Sequence, residues 1–100
     1  MIFDFLPAAQ REFEEAVNYY DRHGFDLGDE FSREIYETIQ RILANPETWP
    51  RAPRNTRKCL VHRFPFAVIY RVHPERVLIV AVAHHSREPG YWKRRLAESE

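Results

Sequence analysis

Cysteine and glycine are both scarce in this chain, and each scarcity closes off a class of site. A single cysteine, Cys59, stands in 100 residues, so no internal disulfide can form and a reducing cytoplasm is the expected location. Three glycines are too few for a phosphate-cradling loop. No apolar run approaches the roughly 20 residues that span a bilayer, so no membrane partner is expected. The opening Met1-Ile2-Phe3-Asp4-Phe5-Leu6-Pro7 carries no basic stretch and no cleavage site, and does not read as a secretory signal. There are no repeats and no low-complexity tract. Residues 1–100 are expected to form one domain with a single modest core.

Net charge is absent too, at +0, but that zero conceals a split. Residues 1–50 carry four arginines against eleven acids, a net of −7, whereas residues 51–95 carry eleven cations against two acids, a net of +9. Such asymmetry points to a polyanionic or acidic partner for the basic half. The plainer alternative is that acidic and basic elements pack side by side and neutralise each other.

What the chain does have is apolar patterning. Ile2 to Leu6 reads as a short strand. Pro7 can open a helix, because the first turn does not need its missing N–H. Phe13, Ala16, Val17 and Tyr20 then recur at helical spacing through Arg22, and Gly24 is expected as a left-handed cap. Asp26 is a candidate N-cap for a second helix, with Leu27, Phe31, Ile35, Ile39, Ile42 and Leu43 as its core stripe. Asn45-Pro46 ends it. The connection between the helices is short, so they form an antiparallel hairpin. A Pro- and Arg-rich loop follows over 47–55. A second strand is expected over Arg57–Arg63, a bend at Pro65, then strands over Phe66–His73 and Arg76–His84 joined by a tight turn. Pro89 to Leu96 reads as a short helix or packed tail. The fold class is α+β: an N-terminal strand, then an antiparallel helical hairpin packed on a mostly antiparallel sheet, in the order β-α-α-β-β-β, with a short C-terminal helix or tail.

Period-two alternation assigns the strand faces. Phe66, Val68 and Val72, with Leu78, Val80 and Val82, are expected beneath the helices. Ala67, Ala81 and Ala83 would then floor a shallow groove rimmed by Arg71, His85 and Arg87, with Arg63 joining from the end of the second strand. A metal site is not expected. Cys59 and His62 fall on opposite faces of a strand, and the adjacent His84 and His85 point apart. Ser86 beside His85 is sequence adjacency, not triad geometry. No cofactor is expected. What remains is an Arg, His and Tyr cluster. Such groups can move protons at a ribose hydroxyl and stabilise phosphorane-like charge without metal. Trp92 reads first as a core-sealing residue and second, with Tyr91, as a platform for a base. His84 reads first as a hydrogen-bonded strand-end residue and second as a ligand contact.

The pattern Phe64-Pro65-Phe66-x-Val68-Ile69-Tyr70-Arg71, followed by Ile79-Val80-Ala81-Val82-Ala83-His84-x-x-Arg87-x-Pro89-Gly90-Tyr91-Trp92, resembles the RelE/ParE superfamily of toxins from type II toxin–antitoxin systems, often labelled plasmid-stabilisation proteins. The resemblance covers nearly the whole chain. It implies a small cytoplasmic bacterial toxin that inhibits growth and is neutralised by a cognate antitoxin. RelE-like members cleave mRNA on the ribosome without metal, and ParE-like members poison DNA gyrase. The basic positions usual in the ribonucleases read Cys59 and Ala67 here, although Arg57, Lys58 and Arg63 stand close to the first and Arg71 shares a face with the second. His85 falls where an arginine is common, and Tyr91 matches a tyrosine of the proton-transfer machinery. By resemblance the catalytic candidates are His85, Arg87 and Tyr91, and the target- or RNA-binding candidates are Arg63, Arg71, His84 and Trp92. The two replaced positions place the ribonuclease reading behind a gyrase-type target. They also motivate an alternative from another class, a non-toxic module of this fold that only binds protein.

Overall fold

The computed structural model describes residues 1–97. Its elements are β1 (Ile2–Phe5), α1 (Pro7–His23), α2 (Leu27–Ala44), β2 (Arg51–Ala52), β3 (Thr56–Leu60), β4 (Phe66–Val72), β5 (Arg76–His84) and α3 (Arg94–Ala97). They build one five-stranded sheet of order β1-β5-β4-β3-β2. β1 runs parallel to β5, while the other pairs are antiparallel. The α+β expectation and the mostly antiparallel sheet are both observed. The two-residue strand β2 lies inside what reads as a loop in the sequence.

Pro7 occupies the first position of α1, directly after an extended Leu6. Leu6 donates its own N–H to the Ile79 carbonyl at 2.9 Å, which ties the helix start to β5. The α1–α2 turn departs from expectation. Gly24 is extended, with φ −176°, and Asp26 takes the left-handed conformation, with φ 58°. The Gly24 N–H closes the helix on the Tyr20 carbonyl, so the reversal falls two residues later. An aspartate tolerates φ > 0 better than most residues, and the Asp26 side chain makes no cap bond.

Both helices lay their apolar stripes on one sheet face. Ala9, Phe13 and Ala16 of α1, with Phe31, Ile35, Ile39 and Ile42 of α2, are buried against Val68, Tyr70, Val77 and Ile79. Phe31 anchors this layer, with its ring 4.9 Å from Phe66 and 5.2 Å from Phe64 between centroids. Fully burying one such side chain contributes roughly 1.5–3 kcal/mol.

The alternation expected of β5 breaks at Val80. Ile69 pairs with Ala81 and Tyr70 with Ile79, so Val80 is the extra residue of a β-bulge. A one-residue slip exchanges the two faces. Leu78 and Val80 therefore do not lie beneath the helices. With Ile69 and Ala81 they form a second core on the opposite face, sealed by Trp92 and Leu96. Val77 and Ile79 take the helix side in their place.

Candidate functional site

A groove of about 200 Å³ opens on the face away from the helices. Its floor is Ala67, Ile69 and Ala83, small or flat because a tail rather than a helix covers this face. One wall is the β2–β3 hairpin, through Ala52, Pro53 and Lys58. The other wall is the segment from His84 to Trp92. Lys58 faces the groove because it pairs with Ile69 in the β3–β4 ladder. Of the cations that stand near the replaced ribonuclease position, it is the one that lines the groove.

The second wall is built from consecutive turns. Arg87 donates its N–H to the His84 carbonyl at 3.0 Å, Tyr91 to Glu88 at 3.1 Å and Lys93 to Gly90 at 3.0 Å. Gly90, with φ 76°, supplies the left-handed step this path needs. His84 accepts the Ser86 N–H on Nδ1 at 2.9 Å and packs edge-on against Phe66. His85 and Arg87 are exposed. Trp92 is 4% exposed and belongs chiefly to the second core, though its edge also lines the groove.

Glu12, on α1, is the residue that sequence reasoning missed. Its carboxylate accepts the Val82 backbone N–H at 3.0 Å, the Tyr91 hydroxyl at 2.5 Å, and both terminal nitrogens of Arg95 at 2.8 and 2.7 Å. Arg87 approaches to 3.9 Å and lies over the Tyr91 ring, 3.8 Å from its centroid. Burial pushes the Glu12 carboxyl up, but bonds from Arg95, Tyr91 and Val82, with the charge of Arg95, outweigh it and hold the pKa below the ordinary value. Burial, then the bond to Glu12 and its charge, push the Tyr91 phenol well up against the opposite pull of Arg95 and Arg87. The available signal was periodicity. Ala9, Glu12 and Ala16 share one helix face, so Glu12 interrupts the buried stripe with a carboxylate.

The structure thus brings His84, His85, Arg87, Tyr91 and Trp92 to one groove, and it leaves two candidates elsewhere. Arg63 is not on a strand, because β3 ends at Leu60 and the chain bends over 61–65. It adopts φ 71° and turns to α2, pairing with Glu30 at 2.6 Å and Glu34 at 3.7 Å. Arg71 shares the groove face, as expected, but lies two residues beyond Ile69 and four beyond Ala67 along β4. There it is buried and donates to the Arg54 carbonyl under the hairpin. Cys59 and Ala67, the replaced basic positions, are 0% and 1% exposed. Cys59 faces the helices, whereas Ala67 belongs to the groove floor.

The family model described as the ParE toxin of type II toxin–antitoxin systems, parDE, matches residues 3–89. The chain belongs to the ParE toxin family. Among solved structures it is similar to the chromosomal ParDE TA system from P. aeruginosa, with a TM-score of 0.60 and 12% identity, over 84% of this chain and 95% of that one. At that identity the likeness is one of fold. No curated protein matches the sequence. The ParE match spans Glu12, the floor, Lys58, His85 and Arg87, and stops before Gly90. Tyr91, Trp92 and Arg95, which seal and brace the second wall, lie beyond it. Among the described residues no helix is long and apolar enough to cross a membrane, and no group of three or more His, Cys, Asp or Glu could hold a metal ion.

Proposed function

We propose that this ParE-family toxin arrests growth in the cytoplasm by binding a protein target of the DNA gyrase type, with the groove between the β2–β3 hairpin and residues 85–92 as its contact surface. One observation carries the preference for binding over cleavage: the Tyr91 hydroxyl is committed to the Glu12 carboxylate at 2.5 Å. A phenol held neutral by burial and a carboxylate is a poor proton shuttle near neutral pH. The small buried Ala67 on the groove floor supports the same preference, since it leaves no cation there to stabilise a phosphorane-like charge. Lys58, His85 and Arg87 then serve as target contacts. A cognate antitoxin neutralises the toxin by covering this face, and the +9 balance of residues 51–95 suits an acidic segment.

Induction in a bacterium, followed by primer extension on cellular mRNA and by a supercoiling assay with purified gyrase, tests the reading. Gyrase inhibition without new mRNA 5′ ends is expected, and the pair His85→Ala with Arg87→Ala should weaken inhibition roughly tenfold or more. New mRNA ends on induction, lost in the same double variant, would establish the metal-independent ribonuclease instead. Undisturbed growth on induction would favour the non-toxic protein-binding module.

A further inference from the structure

The C-terminal wall of the groove is held by turns and by its buried side chains rather than by a long element of its own. Its terminal helix α3 has four residues, far short of the length at which a helix is stable alone. Trp92 and Leu96 bury their side chains against Val80 and Ile69, which fixes the tail to the sheet but not the direction in which Tyr91 and Arg87 point. Arg95 donates to the Val80 carbonyl at 3.0 Å, and the other side-chain bonds that set direction converge on one carboxylate. Glu12 holds Tyr91 and Arg95 by three bonds of 2.5 to 2.8 Å and is itself held to β5 by the Val82 N–H. Arg87 rests on the Tyr91 ring 3.8 Å away and Arg95 lies 5.2 Å from the same ring, so the position of Arg87 follows that of Tyr91.

A carboxylate at this place needs a reason beyond stability. Its neighbours on the α1 stripe, Ala9, Phe13 and Ala16, are apolar, and an apolar side chain would cover the same surface without desolvating a charge. Buried ion pairs are often no better for stability than apolar packing of like volume, and their attested use is to select one arrangement. We infer that Glu12 is a positioning residue for the toxin's groove: from α1 it clamps Tyr91, Arg87 and Arg95 into a single rigid wall facing Lys58. The clamp couples a carboxylate of α1 to Tyr91 and Arg95, which lie outside the family match. Its functional half rests on the groove being the target surface, and its structural half does not.

The test uses the full chain. Glu12→Gln keeps the shape and removes the charge. Tyrosinate absorbance is followed against pH, with Tyr91→Phe identifying the component that belongs to Tyr91. In Glu12→Gln that component is expected to ionise about one pH unit or more lower than in the wild type. Amide exchange over residues 91–96 should accelerate roughly tenfold or more while β4 is unmoved. Growth inhibition should weaken alongside. Wild-type values for both the ionisation and the exchange overturn the clamp. If Glu12→Gln does not fold, Tyr91→Phe and Arg95→Gln cut the clamp from the tail side, and unmoved tail exchange in both overturns it equally. A loosened tail with full growth inhibition overturns the positioning role. In that case Lys58→Ala, on the opposite wall and outside the clamp, reports whether the groove is the target surface at all.

Discussion

The thiol of Cys59 lies fully buried opposite Val68, with the Arg41 guanidinium 3.7 Å from its sulfur. Two influences compete there. Burial pushes the thiol up, and the positive charge of Arg41 pulls it down without prevailing. A buried, protonated thiol is neither a nucleophile nor a metal ligand, so Cys59 serves as a small core residue. The native protein is therefore expected to resist an aromatic disulfide reagent for as long as it stays folded, and to label at once in urea. Native labelling at the denatured rate would mean that β3 opens on its own. The same scale explains the groove floor. Ala67 and Cys59 are neighbours across the β3–β4 pairing, one ladder step apart, yet they face opposite layers, so two adjacent replacements remove one cation from the groove and one from beneath the helices.

The α1–α2 hairpin shows which parts of an element are written in sequence. The stripes of both helices were legible because a 3.6-residue period can only mean one buried face. The close approach at Gly28 was not. A Cβ there would meet the Asp21 carboxylate at 2.0 Å and the Val17 backbone carbonyl at 2.8 Å. The carboxylate can swing away, but the carbonyl belongs to α1. Gly28→Ala is therefore expected to destabilise by about 1–2 kcal/mol, since roughly 1–3 kcal/mol of overpacking exceeds the gain of up to about 1 kcal/mol in helix propensity. A urea midpoint at or above wild type would show that the helices can part at no cost. β4 and β5 were legible in place but not in parity. They are apolar on both faces, so nothing in the residue pattern reports that Val80 is skipped in the pairing. That bulge decides which of Leu78, Ile79 and Val80 meet the helices. The groove residues His85, Arg87 and Tyr91 could be read from their clustering in the chain. Glu12 could be read only as a carboxylate interrupting the α1 stripe, and its role could not, because its partners Tyr91 and Arg95 lie about eighty positions away. Arg63 and Arg71 were drawn elsewhere by local partners, the acids of α2 and the Arg54 carbonyl.

Across the whole molecule the acidic and basic halves meet at a few defined points. Asp4 pairs with Arg76, Glu30 and Glu34 with Arg63, and Glu12 with Arg95. In the first two contacts the cation stands in solvent, and such exposed pairs contribute little. The Glu12 contact is half-buried and sets how stability depends on pH. Its lowered pKa means that the folded chain keeps this carboxylate charged where the unfolded chain has begun to protonate. The resulting stability is present above the ordinary carboxylate range, near pH 4, and is lost as pH falls through the lowered value. The tyrosines act with the opposite sign. Burial pushes Tyr70, whose hydroxyl donates to the Pro46 carbonyl, up to about 12, although the charge of Arg57 lowers it. Tyr91 is raised as well. Their stability is intact below about pH 10 and is lost as pH rises through the folded-state values. Urea midpoints should therefore form a plateau between about pH 5 and 9 and fall on both sides. In Glu12→Gln the acid limb should flatten, and the alkaline limb should shrink without vanishing, because the carboxylate that helps raise Tyr91 is gone while its burial and the raised Tyr70 and Tyr20 remain. An alkaline limb unchanged by a substitution on α1 would mean that Tyr91 is held up by burial alone, and that helix and tail are energetically separate.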